Sequence, residues 1–451
     1  MPGCKMNRCK LRRESIVNDT RKMKILLANY RFFVSGGPER YMFNVIDALT
    51  RRGHEVIPFS IQYALNQKSP YTDYFVKPLG SRDEVYFRQQ KLTPKSMWRS
   101  LERLFYAKDV EKASTRLAKD QQVQVAYVLH YLRKLSPSLL TGLKKAGLPI
   151  VVRLSDFGMM CPEAHFLRDD VPCELCIHGN LFPSLKYRCV QESYTASALN
   201  LLATSYHQRM QFFNLIDVFV TPTMFMYWKM VEAGYAEKQL CHIPTFVNKE
   251  LFHPGAKTTS ERYIAYVGRL DRSKGVHVLI DGFARQKAHD PEIELTLEIA
   301  GSGDEKYLTQ LKSQTERLGI AKYVRFHGKL PVDEIVGLLN KSYLTIVPSL
   351  WYENLPNAVL ESYACGTPVL ASNLGSLAEC VDQGQTGYLF NPGDARDLAD
   401  RLSFCFGHPE MMTEMGRNAR KIAETKYSEE QHLEKLETVF NKLVSRKVYS
   451  N

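Results

Sequence analysis

The sequence predicts an α/β protein made of two Rossmann-like domains that face each other across a cleft. Short apolar runs rich in β-branched residues alternate with helical patterns in both halves of the chain, as expected for parallel sheets covered by helices. Glycine-containing turns follow several predicted strands, as they do where open α/β sheets bind ligands. A length of 451 residues exceeds what one hydrophobic core usually supports, so two domains are expected.

The order of these patterns predicts five segments. They are a basic N-terminal extension, a first Rossmann-like domain, a linker, a second Rossmann-like domain and a final amphipathic helix, at residues 1–22, 23–250, 251–261, 262–425 and 426–451. The extension is rich in Lys and Arg and has no period of 2 or 3.6. Two interpretations of it remain: a disordered basic arm, or an upstream start with the true initiation at Met23.

Composition narrows the class of protein and of partner. Hydrophobic residues make up 44% and charged residues 24% of the chain, as in soluble globular proteins. The sequence has no apolar run of about 18 residues and no signal-peptide core, which favours the cytoplasm or the inner face of the plasma membrane. The net charge of +12 favours contact with an anionic membrane or an anionic substrate, or a solvated basic face. Nucleic acid is not expected, because zinc-finger, RNA-binding and basic heptad signatures are missing.

One stretch of the second half combines a strand, a loop and a helix start with two carboxylates. Leu344–Val347 reads as a strand and Asn357–Cys365 as a helix, with Glu353 in the loop and Glu361 on the helix. The free N–H groups of a helix start attract phosphates and sugar hydroxyls, and carboxylates accept hydrogen bonds from hydroxyls. The pattern therefore predicts a ligand site, although two solvated acids near a helix start would also satisfy it.

A second stretch places two cations near a predicted helix start. The strand at Tyr263–Val267 is followed by Gly268 and Arg269, and Lys274 comes five residues after the arginine. Two cations at such a position can bind one anion, although most surface Lys and Arg residues are simply solvated. In the first half, Gly36 and Gly37 similarly separate a strand from a helix, where the backbone can approach a ligand closely.

Two further polar residues are predicted at carboxyl ends of strands. His130 follows the strand predicted at 123–129, and Asp156 follows the strand predicted at 150–154. Open α/β sheets bind ligands at this edge. A role in contacting a sugar and a structural role both remain open for these two residues.

These stretches together resemble the retaining glycosyltransferases of sequence family 4. The resemblance rests on the E-x7-E pattern of Glu353 and Glu361 after Pro-Ser, on Gly-Gly-x-Glu-Arg at 36–40 and on Val-Gly-Arg-Leu…Lys-Gly at 267–275. It extends from about Met23 to the C-terminus. It implies the GT-B fold with the last helix crossing back to the first domain, and retaining transfer of a hexose from a nucleoside-diphosphate sugar to a hydroxyl of a glycan or lipid-linked acceptor, in cell-surface polysaccharide synthesis.

The resemblance also implies roles for individual residues. The residues expected in catalysis are Arg269, Lys274, Glu353, His130 and Asp156. Those expected to bind the nucleotide sugar are Gly36, Gly37, Gly268, Arg269, Lys274, Asn354, Leu355, Pro356, Asn357 and Glu361. Among these, Glu361 would bind the ribose, Glu353 the donor sugar, and the two cations the diphosphate. The chemistry would need no metal, because cations and helix ends can stabilise the leaving diphosphate.

The sequence departs from the family pattern in the loop between the acids, where Asn354 and Leu355 replace the usual Gly-Phe pair. Ser155 likewise stands where relatives commonly carry a histidine. Two other classes of protein would use the same nucleotide site. A GT-B sugar-nucleotide epimerase forms no new glycosidic bond, and a non-catalytic nucleotide-sugar-binding protein shows neither transfer nor hydrolysis.

Four cysteines fall in one loop-rich segment. They are spaced C-x11-C-x2-C-x12-C and are Cys161, Cys173, Cys176 and Cys189. Disulfides are disfavoured in a cytosolic protein, whereas one C-x2-C pair provides two metal ligands. His165 or His178 could replace one cysteine. A structural zinc, an iron–sulfur cluster and unrelated thiols all remain open.

Residues 95–120 predict one or two amphipathic helices. Trp98, Leu101, Leu104 and Phe105 recur at helical spacing. A stripe facing the core is one interpretation. A basic, aromatic surface that contacts a membrane or a lipid-linked acceptor is the other.

Overall fold

The computed structural model describes residues 22–80, 94–255 and 263–448. The predicted N-terminal extension, apart from Lys22, and most of the predicted linker lie outside these residues. The choice between a start at Met1 and one at Met23 is therefore not tested by the structure. The described residues form two six-stranded parallel sheets, each with helices packed on both faces.

The first sheet has the strand order β2-β1-β3-β4-β7-β8, and every pair in it is parallel. A short antiparallel hairpin, β5 and β6, lies between its fourth and fifth strands along the chain. The strands of this half are Lys24–Ala28 (β1), Glu55–Phe59 (β2), Val125–Val128 (β3), Ile150–Arg153 (β4), Leu167–Arg168 (β5), Val171–Pro172 (β6), Val218–Thr221 (β7) and Leu240–His242 (β8).

Seven helices accompany these strands among the described residues. They are Gly37–Arg51 (α1), Pro94–Phe105 (α2), Lys108–Asp120 (α3), Ser138–Lys145 (α4), Phe182–Lys186 (α5), Tyr194–Arg209 (α6) and Met224–Glu232 (α7). Hydroxyl caps start two of them: Ser193 accepts from the Ala196 amide at α6, and Thr223 accepts from the Met226 amide at α7. Both faces of the sheet are buried, since Leu26 and Ala28 belong to one core and Ile25 and Leu27 to another.

The second sheet repeats this architecture in the order β11-β10-β9-β12-β13-β14, again entirely parallel. Its strands are Tyr263–Val267 (β9), Thr296–Ala300 (β10), Val324–Gly328 (β11), Leu344–Val347 (β12), Val369–Ser372 (β13) and Gly387–Phe390 (β14). The helices are Val276–His289 (α8), Glu305–Arg317 (α9), Val332–Lys341 (α10), Asn357–Ala364 (α11), Ser376–Cys380 (α12), Ala395–Gly407 (α13), Pro409–Thr425 (α14) and Glu429–Val448 (α15).

The last helix returns to the first half of the chain. Leu433, Leu436 and Phe440 of α15 are buried in the same core as Ile25 of β1. The Phe440 ring lies 5.6 Å from the ring of Tyr127 on β3. The predicted fold class, two Rossmann-like domains with a final helix crossing back to the first, is therefore confirmed.

The structure tests the core-facing interpretation of residues 95–120. They form two helices, α2 and α3, and the Trp98 side chain on α2 is 66% exposed. Leu101 is also exposed, while Leu104 and Phe105 are half-buried. The interpretation of a core-facing stripe is therefore wrong for α2. Within residues 22–80, 94–255 and 263–448, no helix is both long enough and apolar enough to cross a membrane.

A buried histidine joins α15 to the first domain. His432 hydrogen bonds through Nδ1 to the Pro244 carbonyl at 2.6 Å, and its Nε2 lies 3.0 Å from the Tyr41 hydroxyl. The first contact requires a proton on Nδ1, so the neutral ring accepts from Tyr41 at Nε2. Burial lowers the pKa of His432 to about 3, and the cations of Arg153 and Lys435 act in the same direction.

This depressed pKa predicts a loss of stability in mild acid. Between pH 7 and 5 the unfolded chain binds a proton at residue 432 that the folded chain excludes, so the free energy of unfolding should fall by about 2 kcal/mol on account of this residue. His432→Gln should remove that part of the pH dependence, and His253→Gln, at an exposed histidine, should not. Urea unfolding at the two pH values measures both. Equal pH dependence in His432→Gln and the wild type would contradict the assignment.

Candidate functional site

The candidate site lies where the strand order of each sheet reverses. In the second sheet β9 and β12 are neighbours, and the chain moves outward from them in opposite directions. The loops after these strands therefore meet at one edge, the usual ligand position in open α/β sheets. In the first sheet β1 and β3 have the same relationship, which brings the Gly36–Gly37 turn and His130 to the corresponding edge.

The β9–α8 loop is fixed tightly against the β12–α11 loop. Gly275 has φ +69°, and a Cβ atom there would lie 1.9 Å from the Pro348 carbonyl oxygen. The Leu350 amide donates to the Ser273 carbonyl at 2.8 Å. Asp271 accepts from the Ser273 amide at 3.0 Å. Only glycine fits this approach, and it sets the position of Lys274.

Lys274 and Glu353 form the centre of the site. The Lys274 ammonium donates to Glu353 Oε1 at 2.6 Å. The same oxygen accepts from the Ser349 hydroxyl at 2.6 Å and from the Trp351 indole N–H at 3.0 Å. The Lys274 Nζ also lies 5.0 Å from the centre of the Trp351 ring. The other oxygen of Glu353 has no part in these three bonds.

The Glu353 side chain is ionised in this environment. It is buried, with 6% of its surface exposed, and burial raises its pKa. The charge of Lys274 and the hydrogen bonds from Lys274, Ser349 and Trp351 outweigh burial, so the net pKa is lowered. A carboxylate in this state accepts hydrogen bonds and donates none.

Arg269 follows β9 directly and is exposed. Its own carbonyl accepts from the Tyr266 hydroxyl at 2.7 Å, which fixes the backbone beside Gly268. Among the residues that the structure describes, no carboxylate lies within ion-pair distance of the Arg269 guanidinium. Its charge is therefore available to an anion at this edge.

Glu361 faces the first domain across the cleft. It is buried on α11, and its Oε1 accepts a hydrogen bond from Nη1 of Arg40 on α1. Burial raises the pKa of Glu361, and the Arg40 charge opposes that rise in part. The helix starts also approach each other, because a Cβ atom at Gly37 would lie 2.6 Å from Nδ2 of Asn357. The predicted Gly36–Gly37 turn and the second acid thus lie on opposite walls of one cleft.

The other residues of the β12–α11 loop have separate contacts. Asn354 donates from Nδ2 to the Leu154 carbonyl of the first domain at 2.9 Å. Leu355 packs against the core beneath α11. Pro356 is the residue before α11, which begins at Asn357. Asn354 therefore joins the two domains.

His130 and Asp156 form a pair after β3 and β4. His130 Nε2 lies 3.0 Å from Asp156 Oδ2, and the Gly158 amide donates to Asp156 Oδ1 at 2.8 Å. Burial raises the pKa of Asp156, but its hydrogen bond and attraction to His130, with the Gly158 bond, bring the net pKa well below its usual range. The two residues therefore form one hydrogen-bonded unit on the first wall.

The four predicted cysteine ligands line one small enclosed space beside Glu163 and Tyr187. Burial raises the pKa of Cys176 to about 12 and that of Cys189 to about 11, so both are thiols at neutral pH. Within the described residues, no three Cys, His, Asp or Glu side chains converge in a way that could hold a metal ion. The structure supports neither the structural zinc nor the iron–sulfur cluster that the cysteine spacing left open.

The histidines considered as substitute ligands lie elsewhere. His165 pairs with Glu163, with Nδ1 2.7 Å from Oε1, and its ring centre is 4.9 Å from that of Trp351. His178 is exposed and lies 3.9 Å from Glu232. His165 is thus a neighbour of the Glu353 cluster.

Several residues of the site were not predicted from the sequence as part of it. They are Arg40, His165, Ser349, Trp351 and Ser376, whose hydroxyl donates to the Glu353 carbonyl at 2.5 Å. Arg40 and Ser349 belong to motifs already recognised and could have been found there. The contact of His165 is made only by folding, and no sequence signal indicates it.

Part of the second half matches a known family. Residues 247–422 match the family model described as glycosyl transferases group 1. D-inositol 3-phosphate glycosyltransferase of Corynebacterium jeikeium is 32% identical over 218 residues, which are 45% of this chain and 51% of that protein. Glycogen synthase of Mycobacterium tuberculosis is 34% identical over 163 residues, 36% of this chain and 38% of that protein. The chain spans about half the length, or less, of the curated relatives it matches.

Solved structures resemble the chain over nearly its full length. Sucrose-phosphate synthase from Thermosynechococcus elongatus has a TM-score of 0.70 at 17% identity, covering 94% of this chain and 100% of that structure. HepE from Anabaena, solved in complex with UDP, has a TM-score of 0.63 at 18% identity with the same coverage. The chain has the GT-B fold. In this fold the Lys274–Glu353 cluster and the Arg40–Glu361 pair lie in the cleft between the two domains.

The close approach at Gly275 can be tested against a matched glycine. Gly275→Ala should lower stability by about 2 kcal/mol or more beyond Gly319→Ala, because the new methyl meets the Pro348 carbonyl, whereas Gly319 has the same φ of +69° and open space around it. Urea unfolding followed by circular dichroism measures the difference. Equal losses would mean that left-handed strain alone, and not the contact with Pro348, demands glycine at 275.

Proposed function

We propose that this protein is a retaining glycosyltransferase of family 4 type, which moves a hexose from a nucleoside-diphosphate sugar to a hydroxyl of a glycan or lipid-linked acceptor. The observation that carries the proposal is the convergence of Arg269, Lys274 and Glu353 at the reversal point of the second sheet, facing the glycine turn of the first domain. We further propose that the product belongs to a cell-surface polysaccharide.

The comparisons support a nucleotide-sugar donor. The family match covers the half that contains both acids and both cations, and the matched relatives are named as sugar transferases or synthases. HepE, which shares the fold, has been solved with UDP and with UDP-glucose. We therefore propose a nucleoside-diphosphate sugar as the donor for this chain.

The two cations would stabilise the leaving diphosphate. Lys274 has three N–H donors, and its bond to Glu353 uses one of them. Two donors therefore remain for phosphate oxygens, and the exposed Arg269 adds a second charge. The N-terminus of α1, which begins at Gly37, contributes its dipole, and the two glycines let the backbone approach the diphosphate. These charges would replace a metal ion in the chemistry.

The carboxylates would orient the donor. Glu353, held ionised by Lys274, accepts hydrogen bonds from hydroxyls of the transferred sugar. Glu361, on α11, would accept from the ribose hydroxyls, with Arg40 balancing its charge. The His130–Asp156 pair on the opposite wall would contact the sugar or the acceptor. Asn354, Leu355, Pro356 and Asn357 would shape the nucleotide pocket.

Retention follows if attack and departure occur on the same face of the sugar. The acceptor oxygen forms its bond to the anomeric carbon as the bond from that carbon to the diphosphate oxygen breaks. A diphosphate oxygen takes the acceptor proton, and the diphosphate leaves with the electron pair. The protein then supplies position and charge, and it needs no nucleophile of its own.

Acceptor-dependent release of a nucleoside diphosphate tests the proposal. Nucleotide sugars are first screened by thermal shift, since a bound donor raises the melting temperature. The donor found is then incubated with and without glycan or lipid-linked acceptors, and diphosphate and glycoside are measured. We expect release that requires the acceptor and equals glycoside formed. Interconversion of the donor sugar without an acceptor would indicate an epimerase, and donor binding without turnover a non-catalytic binding protein.

Substitutions in the site should separate transfer from donor binding. Lys274→Ala should lower kcat about 100-fold at saturating donor, because it removes a donor to the developing charge. Glu361→Ala should mainly weaken donor binding, by about 10-fold to 100-fold, because charged hydrogen bonds to the ribose are lost. Lys329→Ala and Glu424→Ala, at positions exposed in the structure, serve as controls. Normal turnover of Lys274→Ala at saturating donor would show that the diphosphate assignment is wrong.

A further inference from the structure

Helix α2 presents its apolar side to solvent. Met97, Trp98 and Leu101 are exposed, with Trp98 at 66%, whereas Ser96 and Arg103 on the opposite side are buried. A helix that covers a core normally has the reverse arrangement. The exposure of the apolar side of α2 is therefore unusual and requires a physical explanation.

Arg103 holds α2 in this orientation. Its side chain is 4% exposed, and its Nη2 donates to Asp109 Oδ2 at 2.7 Å and to the Lys77 carbonyl at 3.3 Å. A rotation that buried Trp98 would break both hydrogen bonds of Arg103 and remove the ion pair with Asp109. The outward direction of the apolar side is thus fixed by the structure around it.

A second helix beside α2 also exposes apolar residues. The Phe105 ring at the end of α2 lies 5.9 Å from the Tyr206 ring on α6, and the Phe105 carbonyl lies 3.0 Å from His207 Nε2. Leu199 and Leu202 of α6 are exposed, Leu202 at 55%. They are three positions apart and so share one side of the helix. Helix α6 contains no acidic residue.

Aromatic and basic residues surround the start of α6. Phe182, Tyr187 and Tyr194 are exposed, and the Arg188 guanidinium lies 5.4 Å from the centre of the Tyr194 ring. Helix α5, which precedes α6, packs against it. We call the exposed residues of α2, α5 and α6, together with Tyr187 and Arg188, the α2–α6 surface.

We infer that the α2–α6 surface binds an anionic lipid bilayer. Tryptophan, tyrosine and leucine side chains are stabilised at the boundary between head groups and acyl chains. Arg99, Lys186, Arg188 and Arg209 outnumber the acids Glu102 and Glu192 in this region, which complements anionic head groups. Exposed apolar residues grouped in one region with basic residues beside them are typical of an interaction site. The inference does not depend on the transfer reaction.

Vesicle sedimentation of the full chain tests the inference without any nucleotide sugar. We expect binding to vesicles of phosphatidylcholine with phosphatidylglycerol, weaker binding to phosphatidylcholine alone, and loss of binding as salt increases. Trp98→Ser and Leu202→Ser should each weaken binding about tenfold. Arg209→Gln should weaken it about fivefold on anionic vesicles. Circular dichroism verifies that each variant is folded.

Trp228→Ser is the matched control, because Trp228 on α7 is 55% exposed and lies outside the α2–α6 surface. It should leave binding unchanged. Equal binding of Trp98→Ser, Leu202→Ser and the wild type would overturn the inference. A wild-type dimer that dissociates in these variants would assign the surface to a second copy of the chain. Protection of Trp98 from oxidative labelling in the free monomer would assign it to another part of the same chain, and either result would also overturn the inference.

Discussion

The buried carboxylate of Glu353 is the constraint on which the rest of the site depends. A carboxylate that is 6% exposed must be paired, and Lys274 supplies the charge at 2.6 Å. Replacing a buried ion pair by apolar groups is often neutral or stabilising, so stability alone does not account for this pair. The contact of Gly275 with Pro348 determines how close the two loops come and therefore how well the charges are matched. In our proposal the same lysine then serves the diphosphate.

The two domains meet through polar contacts that involve the loops at these edges. Arg40 reaches Glu361, and Asn354 reaches the Leu154 carbonyl. Glu379 of α12 accepts from the first two amides of α7 at 2.9 and 2.8 Å, so an acid of the second domain caps a helix of the first. Contacts of this kind set the width of the cleft, and the Tyr352 ring of the second domain adds an apolar contact with Phe157 and Phe225 of the first.

The sequence predicted elements whose signal is local and missed relationships that only folding creates. Strand β12 is buried at every residue and therefore reads as a continuous apolar run, so its bounds at 344–347 were predicted correctly. Arg40 and Glu361 are 321 positions apart in the sequence, and they pair only because the two domains face each other.

For α2, periodicity indicated which residues share a side. The Arg103–Asp109 pair, which no periodicity reveals, decides that this side faces outward. For the cysteines, spacing gave one chelating pair, but in the part of the chain that the structure describes no group of three ligands suited to a metal ion is formed.

The contacts of the cysteine-containing segment explain its buried thiols without a bound metal ion. Trp351 donates to Glu353, with Lys274 and His165 both close to its ring, and His165 belongs to the cysteine-containing segment. Phe157 and Phe166 of that segment pack on Tyr352 at 6.4 and 6.5 Å between ring centres. Neutral buried thiols behave as small apolar groups, so Cys161 and Cys176 can pack in the interior of this segment beside its larger buried side chains. The segment then supports Trp351 and Tyr352, the two residues that precede Glu353, which accounts for its position beside the cleft.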